Sequence, residues 1–453
     1  MTALTDAWHG QAADNAANPA LAQYALASAV LPGGVCASAR RNDAIGHPFF
    51  VSRGDGAWLY DLQGRAFLDM STSHGASLLG HNHPRIKAAV QQALDMGIVC
   101  SAETVHQTRL AQRITELVPC AEMVRFAGSG TETVMHGLRL ARCATAREKL
   151  IKFEGHFHGY SDALNFSVMP PLDQAGPART PTPFVESSGV PANTREHVIV
   201  LPFNDPVALE AAFAAHGPQV AALLLEPINY DQGCLMPEPG FLELCRDLCT
   251  RHGSVLFFDE VLTAFRVAPG GAQQKLGVTP DLCVLGKAFG AGMPISALVG
   301  KKQVMAHLQP LGSCQMSGTF LAHPTAVLAA LAALEEYSRP GFYDELDALC
   351  DAFYAGFQQA IDASGVQLRL QHAGPRFGLY FGVTGNIVEY RKAASKNHDA
   401  ESLFVRACYQ RGVYFQPAAH HGFSAVHTGA DLRLALEVIA AALSDVRAAQ
   451  GGT

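Results

Sequence analysis

SVLFFDEVLTAFR (254–266) and DLCVLGKAFGAGMP (281–294) decide how this chain is read. Each begins as a short, continuous apolar run and ends on one polar residue, Asp259 in the first and Lys287 in the second. Short runs that are apolar on both faces fit the buried strands of a parallel sheet. In open sheets of that kind ligands sit at the C-terminal ends of the strands, where these two residues fall. A buried carboxylate needs a cation or a hydrogen-bond donor. A protonated aromatic ring nitrogen would serve; so would Arg266 or the cap of a following helix. Lys287, set between Gly286 and Gly290 in apolar surroundings, reads as a desolvated amine with a lowered pKa, able to form an imine, against the alternative of a surface lysine ending a strand. The 28 positions from Asp259 to Lys287 leave room for one crossover between neighbouring parallel strands, which would bring both side chains to one sheet edge.

Outward from this pair the same rhythm continues. EMVRFAG (122–128), EKLIKFEG (148–155) and QVAALLLEP (219–227) are further strand-like runs, while PRIKAAVQQALDM (84–96) and HQTRLAQRITELV (106–118) have helical spacing. The alternation predicts an α/β fold with a mostly parallel central sheet and helices on both faces. Within it, GSGTET (128–133) follows a strand-like run and opens a helical one. Small residues, hydroxyls and a helix N-terminus together suit a phosphate, although an ordinary N-cap would look the same. The Pro-, Gly- and Ser-rich stretch 167–193 interrupts the rhythm, which resumes at once on its far side, so it reads as a lid-like excursion rather than a domain boundary. Upstream, a polar tail leads to a short helix ending near Pro32-Gly33-Gly34, and AWLYDLQGRAFLDM (57–70) reads as two strands about Gln63-Gly64. From Ala322 long amphipathic helices take over. The expected division is a large domain over 71–325 and a smaller α+β domain assembled from 1–70 and 326–453.

Composition narrows the function. At 453 residues the chain exceeds one domain of about 100–200 residues. With 49% hydrophobic and 16% charged residues it can bury a sizeable core. A net charge of −7 without a basic run argues against nucleic acid. Neither a signal-like start nor a span of about 18 apolar residues is found, so no membrane association is expected. Eleven scattered cysteines without a CxxC pair fit reduced thiols in a cytoplasmic enzyme, and Cys245 with Cys249 fits core packing better than zinc. The His81/His83 and His156/His158 pairs lie in loop-like contexts without a third ligand at characteristic spacing, so no metal is expected.

GSGTET, FEGHFHGYSDAL, LLLEP, FFDEVLTAFR, DLCVLGKAFGAGMP and SGTFLAHP, in this order, resemble the class III aminotransferases of fold-type I, which use pyridoxal 5'-phosphate (PLP), and are most similar to the glutamate-1-semialdehyde aminomutase branch. The resemblance runs from about Leu31 to the C-terminal helix. It implies that Lys287 holds PLP as a Schiff base and moves the proton, and that Asp259 keeps the ring nitrogen protonated. It further implies that Ser129, Gly130 and Thr131 hold the phosphate, completed by Gly318 and Thr319 of a second subunit in a homodimer. Val261 would pack on one face of the ring and Phe157 on the other, Phe157 standing where the family often has tyrosine. Arg40, in LPGGVCASAR, matches an arginine that binds a substrate carboxylate, with Arg41 beside it as the competing candidate.

Departures from the aminomutase pattern bear on the reaction. His74 stands where aminomutases tend to have an aromatic residue, and YFQPAAHHGFSAVHTGADL (414–432) is shorter than the aminomutase version, lacks that version's acidic residue and has His420 and His421 in its neighbourhood instead. The reading that follows is a ping-pong transfer from an amino acid donor to an oxo-acid acceptor, with intramolecular aminomutase chemistry and a catalytically silent binding protein as rivals.

Overall fold

The computed structural model describes residues 18–416 and 419–451; the polar stretch before Asn18 lies outside them. Strands β1 (Val51–Asp55), β2 (Trp58–Asp61) and β3 (Ala66–Asp69) form an antiparallel ribbon turned at Gln63-Gly64. Asp61 fastens that turn, its Oδ1 accepting from the backbone N–H of Gln63 and of Arg65, each at 2.9 Å.

Seven strands build the central sheet: β4 (Met123–Ala127), β5 (Lys149–Phe153), β6 (Val198–Leu201), β7 (Val220–Leu225), β8 (Val255–Glu260), β9 (Leu282–Leu285) and β10 (Ser296–Gly300). Their spatial order is β4-β10-β9-β8-β7-β5-β6. β6, β5, β7, β8 and β9 pair in parallel, and β10 runs against both of its neighbours. Every residue of β7, β8, β9 and β10 is buried. Strands covered on both faces read as unbroken apolar runs for that reason. Along β8 the alternation sends Leu256 and Phe258 into one core and Phe257 into the other. Burying each such side chain contributes about 1.5–3 kcal/mol. The helix Gly130–Thr145 lies tight against the Phe257 face, because a Cβ at Gly137 would collide with the Phe257 ring.

β11 (Leu368–Ala373) and β12 (Arg376–Phe381) form a hairpin that β14 (His420–Gly422) extends, while β13 (Val413–Tyr414) lies parallel to β3. Chain from the two ends of the sequence thus meets in one four-stranded sheet. The helix Phe342–Ser364 follows the amphipathic pattern of the sequence, whereas Pro324–Tyr337, also expected to be amphipathic, is apolar around its circumference and buried along most of its length.

The excursion 167–193 leaves the sheet between β5 and β6, which pair directly with each other. It is strapped to the helix Tyr390–Ala394 rather than loose. Arg391 donates to the carbonyls of Ala175, Gly176 and Pro177, and the Tyr390 hydroxyl donates to Pro170 O at 2.8 Å. Among the described residues no helix is long and apolar enough to cross a membrane. All eleven cysteines are free, and Cys245 and Cys249 pack inside the core.

Candidate active site

β8 and β9 are neighbours, with Asp259 paired to Val284 and Glu260 to Leu285. Asp259 therefore emerges at the sheet edge one strand from Lys287, which follows β9 and Gly286. One cavity is lined by Gly130, Thr131, Phe157, Asp259, Val261 and Lys287. The sequence resemblance implied one shared site for these six, and the fold brings them to one cavity.

Lys287 adopts φ 48°, a left-handed conformation that a side chain tolerates only where its surroundings impose it. Burial lowers the pKa of its amine, opposed by the charges of Asp231, Asp259 and Glu226. No ion pair neutralises Lys287 among the described residues. An amine held this way is the group that condenses with an aldehyde. Asp259 is fixed from two sides: its Oδ1 accepts from Val261 N at 3.1 Å, and its Oδ2 takes the Nδ1 proton of His158 at 2.9 Å. Burial keeps the His158 imidazole neutral, although Asp259 opposes this. Arg266 does not pair with Asp259; its guanidinium donates to the carbonyls of Leu262 and Gly75. Asp259 is thus oriented at the end of β8 and lines the cavity.

Ser129 caps the helix Gly130–Thr145, its Oγ accepting from Glu132 N at 3.3 Å. Gly130 and Thr131 at the first turn face the cavity, so the unpaired N–H groups and the positive end of the helix point where a phosphate would sit. A Cβ at Gly130 would come within 2.9 Å of Val261 Cγ2, so only glycine leaves room there. Thr131 is pressed in the same way by Gly159, at φ 91°, where an added Cβ would lie 2.6 Å from its Oγ1. The donor set, the glycine-lined cradle and the lone amine fit a flat ring carrying one nitrogen, one aldehyde and one phosphate arm. Phe157 and Val261 supply apolar walls to it.

Gly318 and Thr319 do not line this chain's cavity. They lie exposed, next to Phe320, which is 69% exposed. Arg40 sits exposed in the turn Ser38–Arg40, and its positive charge helps to lower the pKa of His74. Arg41 instead pairs with Asp43 at 2.7 Å. The charge of Arg40 therefore reaches His74, while Arg41 is paired with Asp43 on the surface.

Three features escaped sequence reasoning. Glu226 ends β7 as Asp259 ends β8, and its carboxylate accepts from Phe157 N and Tyr230 N; the rule applied to FFDE would have found it in LLLEP. Asp231 lines the same cavity but follows no apolar run. His158 became visible only through its contact with Asp259. His74 and His420, noted as departures, face each other with ring centroids 6.3 Å apart, and the charge of Lys287 reaches both. Among the described residues no group of three or more metal-binding side chains converges. His81 pairs with Asp69 at 2.7 Å, and His156 Nδ1 accepts from Glu226 N at 3.0 Å.

Comparison with known proteins agrees with this geometry. An omega-transaminase from Sphaerobacter thermophilus superposes with a TM-score of 0.90 at 31% identity, covering 95% of this chain and 98% of its own. A beta-phenylalanine aminotransferase from Variovorax paradoxus gives 0.84 at 28% identity, covering 99% and 97%. A glutamate-1-semialdehyde aminomutase from Pseudomonas aeruginosa PAO1 gives 0.84 at 22% identity, covering 94% of each chain, a likeness of fold alone. The class-III aminotransferase model matches residues 38–431, and the chain belongs to that family of fold-type I enzymes.

Proposed function

We propose that this enzyme moves an amino group from an α- or β-amino acid to a 2-oxo acid by a ping-pong mechanism, using PLP bound at Lys287. The observation that carries the reading is the shared cavity of Lys287, Asp259 and the Gly130–Thr131 helix start. Solved transaminase relatives, one of them described with PLP bound, support the cofactor. When bound, PLP supplies an electron sink for the bond broken at the amino carbon of the substrate. Lys287 would anchor the cofactor, and its amine would be the base that carries the proton. Its burial favours the neutral amine that this role needs. Asp259, oriented by His158, holds a proton on the ring nitrogen. Val261 and Phe157 exclude water from the two faces, and Ser129, Gly130 and Thr131 receive the phosphate. Arg40 grips the substrate carboxylate through parallel hydrogen bonds.

The exposed Ser317–Phe320 stretch supports a homodimer in which Gly318 and Thr319 of one subunit close the phosphate end of the other's cavity. Pairing of β13 with β3 supports taking 1–70 and 326–453 as one smaller domain beside 71–325. Free thiols throughout suit a cytoplasmic enzyme.

The test is a panel of amino donors supplied without an oxo acid. A transaminase makes one turnover per site and stops with the cofactor in its amino form, and adding a 2-oxo acid restarts it. Sustained turnover with no acceptor would favour intramolecular transfer, and a cofactor spectrum that no donor changes would favour a silent binding protein.

A further inference from the structure

Three carboxylates share the cavity with one amine: Glu226, Asp231 and Asp259 line it together with Lys287. Two of the three are already held. Asp259 has Val261 N and His158, and Glu226 has Phe157 N at 3.1 Å and Tyr230 N at 3.2 Å. Asp231 accepts no hydrogen bond from any described residue, and charge alone links it to its neighbours. Those neighbours are Lys287 and Lys152 on the positive side and Asp259 and Glu226 on the negative side. Burial outweighs the two lysines and raises the carboxyl pKa to about 6.

Topology says which part of a bound cofactor Asp231 would meet. β8, carrying Asp259, stands between β9 and β7. The Gly130–Thr131 phosphate cradle follows β4, beyond β9 and β10, whereas Asp231 follows β7. In the PLP ring the phosphate arm and the phenolic oxygen flank the aldehyde carbon on opposite sides. With the nitrogen at Asp259, the aldehyde carbon at Lys287 and the phosphate at Gly130–Thr131, the phenolic oxygen is on the β7 side.

We infer that Asp231 meets the phenolic oxygen of the bound cofactor as a carboxylic acid and donates a hydrogen bond to it; this rests on the reading that PLP binds at Lys287. Two anions in contact in a buried site cannot both stay ionised, so carboxylate and phenolate share one proton. An amide would donate the same hydrogen bond without titrating. A carboxyl adds a second ionisation, and its negative charge, once formed, holds the proton on the imine made by Lys287 to higher pH.

The experiment is a pH titration of the visible absorption of the PLP-loaded enzyme, wild type against Asp231→Asn, without substrate. Wild type should need two ionisations, and the variant one, with the final midpoint lower by about one pH unit or more, a tenfold or larger loss of proton affinity. Superimposable titrations overturn the inference. So does a one-proton titration of the wild type, which decides the matter even if the variant does not fold. Absence of any visible band on adding PLP, or a band that survives Lys287→Ala, is a different result: it overturns the proposed cofactor site instead.

Discussion

Arg376 on β12 donates to Nδ1 of His420 on β14, and that bond settles which nitrogen of His420 carries the proton. A guanidinium can only donate, so Nδ1 accepts and Nε2 bears the hydrogen. Burial holds the ring neutral, helped by the positive charges of Arg376 and Lys287. Arg376 also donates to Ser71 O and Thr72 Oγ1, each at 2.9 Å, at the start of a turn in which Thr72, Ser73 and His74 all have left-handed φ. One buried arginine thus orients His420 directly and His74 through the backbone. Arg376→Met should raise KM for carboxylate substrates about tenfold, the equivalent of one charged hydrogen bond, with kcat less affected. His420→Gln, which keeps a donor, should retain more affinity than His420→Leu. Steady-state kinetics on the three variants checks this.

Two lysines in the fold are buried with lowered pKa, and only one should be chemically labelled. Lys152, lowered to about 8 by burial, spends its ammonium on the carbonyls of His156 and Phe166, which tie β5 to the loop that follows it. Lys287 has no such partners. Borohydride reduction of the PLP-loaded enzyme should therefore tag the peptide containing LGKAFG and leave LIKFEG unmodified. Peptide mapping that finds the tag on Lys152 would contradict the assignment.

Asp259→Asn keeps the shape of the β8 terminus and the contact with Val261 N but removes the charge. An amide cannot hold a proton on a ring nitrogen against the surrounding field. The first half-reaction should slow by roughly 10²–10³, the range seen when one preorganised electrostatic partner of a reacting group is lost. Cofactor should still bind, because the phosphate cradle and Lys287 are untouched. Stopped-flow absorbance with saturating donor separates the slowed chemistry from lost binding.

The central sheet was legible because its strands are buried on both faces, and burial writes itself as an uninterrupted apolar run. Asp259 and Lys287 were legible for the same reason, as polar residues ending such runs. β10 and the β11–β12 hairpin were not singled out, since ISALVG and RFGLYF give no period that tells them from other short apolar segments. Asp231 and His158 belong to loops, and what matters about a loop residue is which strand end lies across from it. No spacing encodes that. The surface ion pair of Arg41 with Asp43 is likewise a local contact that the sequence leaves open.

Acid should unfold this enzyme through its buried histidines. His421 and His427 are 1% and 2% exposed, and burial lowers their pKa values to about 3 and about 4. In the unfolded chain both return to about 6.5. Folded values below unfolded ones mean that the unfolded state binds more protons as pH falls below 6.5, so acid favours it. Each histidine then contributes a slope of about 1.4 kcal/mol per pH unit. The loss starts near pH 6.5 and continues to about pH 4 for His427 and about pH 3 for His421. Both ring nitrogens of His421 and the Nε2 of His427 lack a hydrogen-bond partner, and burial outweighs the carboxylates that favour protonation, Glu401 for His421 and Asp69 and Asp431 for His427. Denaturant midpoints at pH 7, 5.5 and 4.5 should fall steadily. His421→Asn should flatten that fall, so that its loss of stability relative to wild type is smaller at pH 4.5 than at pH 7. A midpoint that does not move between pH 7 and 4.5 in the wild-type protein would show that these rings are already charged in the fold.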